Sequence, residues 1–460
     1  MRQARIRIFC LMLGDCAGLA AVLLLCAAAY QKLGGQYDLR LYWNLWPMLP
    51  VFCASAGIIR LYHGGFFYPG APLAPVEELR RMTFAVTLTY LLLFAFLTLT
   101  RRAEAYSRLV LLTSWILSVG MLIPLRGLVR VLMKRFGIGQ VPILIAGGGR
   151  AGIALAEHLR HSSYYGFEPA GFLDDSPEVN RWGTLDDAVR IGREKRIAVL
   201  FCCVPFEVVQ KHLRDYMRYF GHVSIFTDAR WFPISWAYPV NVKGLPGIEL
   251  NNQLLQPGPR LFKALFESVL AATGILLLWP LFLLLMLLVK SSSPGPVFYR
   301  AARLGQNGRP IRVWKFRTMY VGADRELERL LAEDPARATE WRTAFKLSED
   351  PRITPLGRFL RKTSLDELPQ LFNVLRGEMA MIGPRPIVEA EKACYGTEYE
   401  VFSRVKPGIT GLWQVSGRSE VRYDNRVMLD LFYVFNWSVW LDLYILALTV
   451  WEVIRCRGAK

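Results

Sequence analysis

Over the first 135 residues the apolar positions run in blocks instead of alternating. Ile8–Tyr30 is broken by one charge, Asp15; Leu41–Ile59, Thr83–Thr100 and Leu109–Leu125 carry none. A helix needs ~20 apolar residues to cross a bilayer core, so this pattern predicts four transmembrane helices within 1–135. A fifth run, Ser268–Val289, has 22 residues without a charge and Pro280 near its middle. Proline removes a backbone hydrogen bond and bends a helix. Basic residues flank the run on both sides: Arg260 and Lys263 before it, Lys290, Arg300 and Arg303 after it. Lysine and arginine are retained on the cytoplasmic face, so residues 256–290 are expected to enter the membrane and return on one face. A full crossing is the alternative.

The same rule places Arg2, Arg5 and Arg7, and the group Arg126, Arg130, Lys134 and Arg135, in the cytoplasm. The loop Arg101–Arg108, with three arginines against Glu104, runs against that assignment. The last segment, Phe432–Ile454, is interrupted by Asp442 and Glu452 and reads as interfacial helices.

From 136 to 255 the pattern changes to short apolar runs with polar spacing. Val141–Ala146 is strand-like and leads through Gly147-Gly148-Gly149-Arg150-Ala151-Gly152 into a helical stretch, Ile153–Arg160. This is GxGxxG between strand and helix, where glycines permit a tight turn and close approach of a pyrophosphate. A second strand-like run ends about 20 residues on at Asp174-Asp175, where an acid can meet a ribose hydroxyl. Ala198–Val204 and Val223–Phe226 are further strand candidates. The expectation is a Rossmann-like α/β domain whose candidate nucleotide pocket is Gly147, Gly149, Gly152 and Asp174; the same fold with a regulatory or empty pocket is the alternative. The sequence lacks a Tyr-xxx-Lys pair, which counts against a membrane-bound sugar-nucleotide dehydratase or epimerase.

Composition agrees with a membrane protein. The chain is 53% hydrophobic and only 20% charged, with a net charge of +18. The basic excess lies in 1–135 and 290–460, which favours an anionic lipid surface over nucleic acid. Eight cysteines form no CxxC pair and read as reduced, buried thiols.

Residues 291–460 hold the chemistry. Arg303, Arg309, Arg312, Lys315 and Arg317 interleave with apolar residues, a pattern suited to a phosphate pocket. The segment Arg361-Lys362-Thr363-Ser364-Leu365-Asp366-Glu367 has a bland explanation: Ser364 to Glu367 fits a helix capping box. Nearby cations and the rigid Gly383-Pro384-Arg385-Pro386 give it a second one. A carboxylate at a helix start beside guanidinium groups stays ionised at neutral pH and is placed to attack phosphorus.

Lys315-Phe316-Arg317-Thr318-Met319, Thr363 to Val374, Gly383-Pro384-Arg385-Pro386 and Lys406-Pro407-Gly408-Ile409-Thr410-Gly411-Leu412-Trp413-Gln414-Val415-Ser416-Gly417-Arg418 together resemble the bacterial sugar transferase family, the monotopic phosphoglycosyl transferases. Phe345-Lys346-Leu347 and Asp350-Pro351-Arg352-Ile353 are similar to its galactose-transferring members. The resemblance implies a membrane α/β protein: a four-helix transmembrane bundle (1–135), a Rossmann-like domain (136–255), a re-entrant membrane helix (256–290) and a small α/β catalytic domain with interfacial helices (291–460). It implies transfer of a sugar-1-phosphate from a UDP-sugar to undecaprenyl phosphate, with release of UMP, in the inner membrane. Asp366 is then the nucleophile and Glu367 a metal ligand or base, with Mg²⁺ beside both. Arg361 and Arg385 take the phosphates, Lys315, Arg317 and Arg418 assist, Pro280 kinks the membrane segment, and a homodimer is expected. One position departs from the family pattern: Trp279 stands before Pro280 where serine is usual. A non-catalytic membrane regulator, with the dyad as a mere helix cap, is the rival from another class.

Overall fold

The computed structural model describes residues 2–62, 74–176, 181–226, 235, 237–242, 245–334, 350–417 and 422–455. The chain divides into two compact units, 1–228 and 229–460.

In the first unit, α1 (Arg2–Lys32), α4 (Pro75–Leu99) and α5 (Arg108–Arg135) are long apolar helices. Each is long and apolar enough to cross a membrane. The second expected span is different. It forms α2 (Leu39–Trp43) and α3 (Met48–Ile58), joined by a turn with i→i−3 bonds from Leu45 to Tyr42 and from Trp46 to Trp43. Pro47, the cap of α3, has no N–H to continue the regular ladder. Leu19, Leu23, Tyr42, Phe52, Met82, Val86 and Leu122 fill the space between these helices. Gly14 and Gly18 bring α1 close to α5: a Cβ at Gly18 would lie 2.3 Å from Leu125 Cδ2. Large side chains such as Leu25, Phe84, Leu91, Phe96 and Ile116 point outward. Helices apolar on every face suit a lipid surround.

One polar cluster sits inside this bundle. Glu78 on α4 receives Arg126 NH1 at 2.8 Å and Arg130 NH1 at 2.9 Å, both from α5. Arg126 also lies 3.4 Å from Asp15 on α1. Tyr164, from the α/β part that follows, donates to Glu78 at 2.6 Å, and Arg7 donates to the Tyr164 carbonyl at 2.8 Å. The cluster therefore ties three helices to the α/β part that follows.

That part is a parallel sheet in the order β2-β1-β3-β4, built from β1 (Val141–Ala146), β2 (Phe167–Leu173), β3 (Val199–Cys202) and β4 (His222–Ile225). Its connections run through α6 (Arg150–His161), α7 (Ala188–Lys195) and α8 (Phe206–Tyr219). The sheet's two faces carry separate apolar cores.

The second unit begins with a hairpin, β5 (Ala237–Val242) and β6 (Leu245–Leu250). The sequence pattern groups these residues with the central domain to 255, whereas the division at 228 places them with the C-terminal body. Next comes α9, Pro257–Ser292, a continuous 36-residue helix that contains Pro280. A second hairpin, β7 (Phe298–Leu304) and β8 (Pro310–Phe316), follows it. Helix Pro355–Thr363, a tight turn Leu365–Glu367 and helix Gln370–Leu375 then pack on α9 through Leu360, Leu371 and Val374 against Ala271, Phe282, Leu285 and Val289. The body closes with β9 (Ala380–Ile382) parallel to β10 (Gly408–Thr410) and helices Tyr423–Asn436 and Val439–Arg455.

Truncating Glu78 to alanine leaves Arg126 and Arg130 buried without their shared partner. Loss of one side of a buried ion pair costs about 3–5 kcal/mol. Thermal unfolding of the detergent-solubilised chain should fall accordingly, whereas Glu77→Ala, which removes the partly exposed pairs to Arg80 and Arg81, should cost less than about 1 kcal/mol.

Candidate active site

Helix Pro355–Thr363 starts under a Thr354 side-chain cap and ends at Ser364, whose φ of +57° turns the chain sharply. The capping box expected from Ser364 to Glu367 does not form, because the Ser364 side chain caps nothing and its backbone serves as the end of the preceding helix. The turn it starts, Leu365–Glu367, carries the two carboxylates. That turn is 3₁₀, so both acids sit in a first helical turn as the sequence suggested, and the α-helix proper begins at Gln370.

Asp366 is buried, with only 7% of its surface exposed. Lys315, from the end of β8, reaches both acids: its Nζ lies 2.7 Å from Glu367 Oε1 and 3.9 Å from Asp366 Oδ2. Burial pushes the Asp366 carboxyl up to about 6; Lys315 and Arg361 oppose that shift, while Glu367 adds to it. Burial acts on Glu367 in the same direction, yet Lys315, Arg385 and a hydrogen bond from Gln370 hold it below the usual carboxylate range. Two adjacent acids are thus driven apart, the pattern expected where they do different work.

The frame around the dyad is specific. Arg361 Nε donates to Thr318 Oγ1 at 3.0 Å. Gly357 lets its helix close on that strand end, since a Cβ there would lie 2.1 Å from the Thr318 carbonyl. Asn373 accepts from Trp314 N at 3.0 Å and donates to the Arg312 carbonyl at 2.8 Å, which fixes helix Gln370–Leu375 to β8. On the other side, Gly408 N donates to the Pro384 carbonyl at 2.8 Å and Gly383 N to the Thr410 carbonyl at 2.9 Å, holding the loop that carries Arg385. The Arg385 guanidinium lies 6.0 Å from the Trp413 ring, and Arg426 covers the same ring at 4.5 Å. Burial and Arg385 together lower the pKa of Arg303.

Of the residues named from sequence, Asp366, Glu367, Lys315, Arg361 and Arg385 come together. Arg317 does not join them. It is buried and donates to the Ser293 and Pro294 carbonyls at 2.6 and 3.0 Å, so it clamps the chain leaving α9. Arg418 lies outside the described residues. Thr318, Gln370 and Asn373 stood inside the quoted motifs, but nothing in their spacing signalled a positioning role. Arg426 lay outside those motifs and carried no local signal.

The glycine loop in the first unit is built as its spacing implied. Gly147 has φ +104°, and a Cβ at Gly152 would lie 1.9 Å from the Gly147 carbonyl. Gly149 caps α6. Asp174, however, turns onto the loop itself: it accepts Gly148 N at 2.6 Å and Ser176 N at 2.8 Å. The Gly148 N–H is thereby satisfied within the loop.

Two acids suit a Mg²⁺ that arrives with a diphosphate, since this ion binds through one or two carboxylates plus phosphate oxygens. Among the described residues no group of three or more His, Cys, Asp or Glu is placed to hold a metal alone.

Comparison with known proteins places this geometry. The profile of the bacterial sugar transferase family matches residues 258–456, and that of a CoA-binding domain matches 72–224. The chain is 33% identical over 426 residues to the undecaprenyl-phosphate galactose phosphotransferase of Salmonella typhimurium, covering 90% of this chain and 87% of that one. It is 34% identical to the UDP-galactose-lipid carrier transferase of Erwinia amylovora, over 77% and 76% of the two chains. It is 35% identical to the UDP-glucose:undecaprenyl-phosphate glucose-1-phosphate transferase of Escherichia coli, over 70% and 69%.

The raised Asp366 pKa has a stability consequence. The native state holds a proton that the unfolded chain, with a carboxyl near 3.9, has released. Stability is therefore lost as pH rises from about 4 through about 6. Asp366→Asn stays neutral and escapes this loss. At pH 7.5 it should be more stable than the parent by about 3 kcal/mol, read as a higher melting temperature, and the gap should narrow when both are melted at pH 5.

Proposed function

This chain belongs to the bacterial sugar transferase family, and on that premise we propose that it transfers galactose-1-phosphate from UDP-galactose to undecaprenyl phosphate, releasing UMP. The observation that carries the mechanism is the buried Asp366 carboxylate beside Lys315 and within the influence of Arg361. An Asp366 oxygen attacks the phosphorus that bears the sugar. The bond from that phosphorus to the UMP oxygen breaks, and an aspartyl phosphosugar forms. A phosphate oxygen of the lipid then attacks the same phosphorus, the bond from that phosphorus to the Asp366 oxygen breaks, and the carboxylate is restored as the leaving group. Arg361, Lys315 and Arg385 hold phosphate charge as it moves. Glu367, kept ionised by Lys315 and Arg385, is a poor proton acceptor; it serves instead to orient Lys315. Asp366 and Glu367 would hold a Mg²⁺ that arrives with the diphosphate, and the ion would supply charge neutralisation for the leaving group.

We further read α9 as re-entrant. Lys263, near its start, donates to Asp442 at 2.6 Å and to Glu267 at 2.7 Å, and Glu267 accepts Ile382 N at 3.1 Å. Near its end, Val289 packs in the core with Phe316, and Ser293 is held by Arg317. From Lys263 to Val289 a straight helix runs about 39 Å, more than a ~30 Å hydrocarbon core. Contacts of one body with both ends of the helix support the reading that those ends lie on the same face. The body then rests on the cytoplasmic side of the inner membrane, where nucleotide sugars are. The parallel sheet of the first unit is read as Rossmann-like.

The test uses purified chain, UDP-galactose labelled in the sugar and its phosphate, and Mg²⁺. The parent should become covalently labelled and release UMP without lipid, and addition of undecaprenyl phosphate should discharge the label. The labelling rate should rise with pH through about 6 as Asp366 ionises. Asp366→Asn should not label; if it labels like the parent, the nucleophile is another group. A panel of UDP-hexoses decides the sugar, and a preference for UDP-glucose would overturn that part of the proposal.

A further inference from the structure

α9 and the helix Gln370–Leu375 meet along small and apolar side chains. Ala271 and Leu371 share a core, and a Cβ at Gly274 would touch Leu371 at 3.7 Å. Just beyond that contact the surfaces part. Ala272, Ile275, Leu276 and Trp279 of α9 and Leu375 line a hollow of about 290 Å³ whose lining side chains are all apolar. Ala272 leaves the space open, and the Trp279 ring, half exposed, bounds it. Leu375 is the last residue of the helix whose first residue, Gln370, hydrogen-bonds Glu367. The two ends of that helix are about 7–8 Å apart. The hollow therefore opens on the membrane helix a short distance from the dyad and is walled partly by the element that holds the dyad.

We propose that this hollow receives the first isoprene units of the polyprenyl phosphate acceptor. The inference rests on the reading of Asp366 as the site of phosphosugar transfer. The acceptor must bring its phosphate to that carboxylate while its chain stays out of water. A tail that leaves the dyad along helix Gln370–Leu375 meets this concave apolar surface first. The same geometry gives Trp279 a role, because the residue that departs from the usual serine supplies a flat wall against which an isoprenoid packs. Bulk acyl chains and a second copy of this chain are the competing occupants.

The two half-reactions separate the possibilities. Trp279→Ala and Leu375→Ala remove a wall, and Ala272→Trp fills the space. Each should raise KM for undecaprenyl phosphate roughly tenfold, the scale of a few lost apolar contacts. Covalent labelling by the nucleotide sugar, which needs no lipid, should keep its rate. Trp279→Phe should restore most of the acceptor KM. An unchanged acceptor KM overturns the proposal and leaves the hollow to bulk lipid. Equal loss of labelling and transfer, not rescued by phenylalanine, also overturns it and makes these residues structural. A photoreactive farnesyl phosphate gives a readout independent of turnover: it should crosslink to residues 272–279. Crosslinks elsewhere, or a change in assembly size caused by Ala272→Trp, reject the isoprenoid in favour of lipid or a second copy. Failure of the parent to label at all strikes the Asp366 reading instead, and the crosslink still decides the hollow.

Discussion

Two neighbouring carboxylates cannot both enter a protein interior as anions unless a cation stands with them, and Lys315 stands there, 2.7 Å from Glu367 and 3.9 Å from Asp366. Most of the C-terminal body serves to hold that arrangement. β8 carries Lys315 and leads into Thr318, which fixes Arg361. Asn373 binds the helix after the dyad back onto β8. The β9–β10 pair fixes the loop that brings Arg385 within range of Glu367. The cation favours the acid it touches, so Glu367 is held low while the more distant Asp366 bears the larger share of desolvation. That asymmetry makes the group with the higher proton affinity the better nucleophile while still leaving it ionised near neutral pH.

The same problem, charge in an apolar setting, is solved twice more, and each solution joins unlike parts. Glu78 with Arg126, Arg130 and Tyr164 links the N-terminal helices to the parallel sheet. Lys263 with Glu267 and Asp442 links α9 to the closing helices and to the end of β9. A purely apolar contact tolerates sliding and rotation. Directional bonds between buried charges do not, because a shifted partner leaves a desolvated ion behind. For an enzyme whose carboxylate must lie at a set depth beside a bilayer, fixed depth matters more than the modest stability such pairs contribute.

Much of this was legible in the sequence because it rested on local rules. The glycine turn and the strand before it follow from backbone sterics, and the spacing of Lys315, Asp366, Glu367 and Arg385 rests on motifs that fold as units. What escaped notice depended on distant partners. The second apolar stretch has the composition of a span, yet Pro47 interrupts its ladder and gives two short helices. Ser364-Leu365-Asp366-Glu367 has the letters of a capping box, but the Ser364 side chain caps nothing and its backbone ends the preceding helix. Arg317 sits in a basic run that suits phosphate, and only the tertiary fold shows its guanidinium spent on the Ser293 and Pro294 carbonyls. The bonds from Asp174 to its own glycine loop also carried no signal in the sequence.

The position of the dyad also bears on why a covalent route suits this enzyme. A nucleotide sugar is fully water-soluble, and a polyprenyl phosphate keeps its tail in the bilayer; both must present phosphorus or phosphate to one buried carboxylate. Direct attack of lipid phosphate on the nucleotide sugar would require two highly charged phosphates to occupy the cations around Asp366 together. On the proposed mechanism, parking the phosphosugar on Asp366 would let the donor leave before the acceptor arrives, so Lys315, Arg361 and Arg385 would neutralise one incoming phosphate at a time. On that mechanism a small cation set would suffice, because it would serve the donor and the acceptor phosphates in turn.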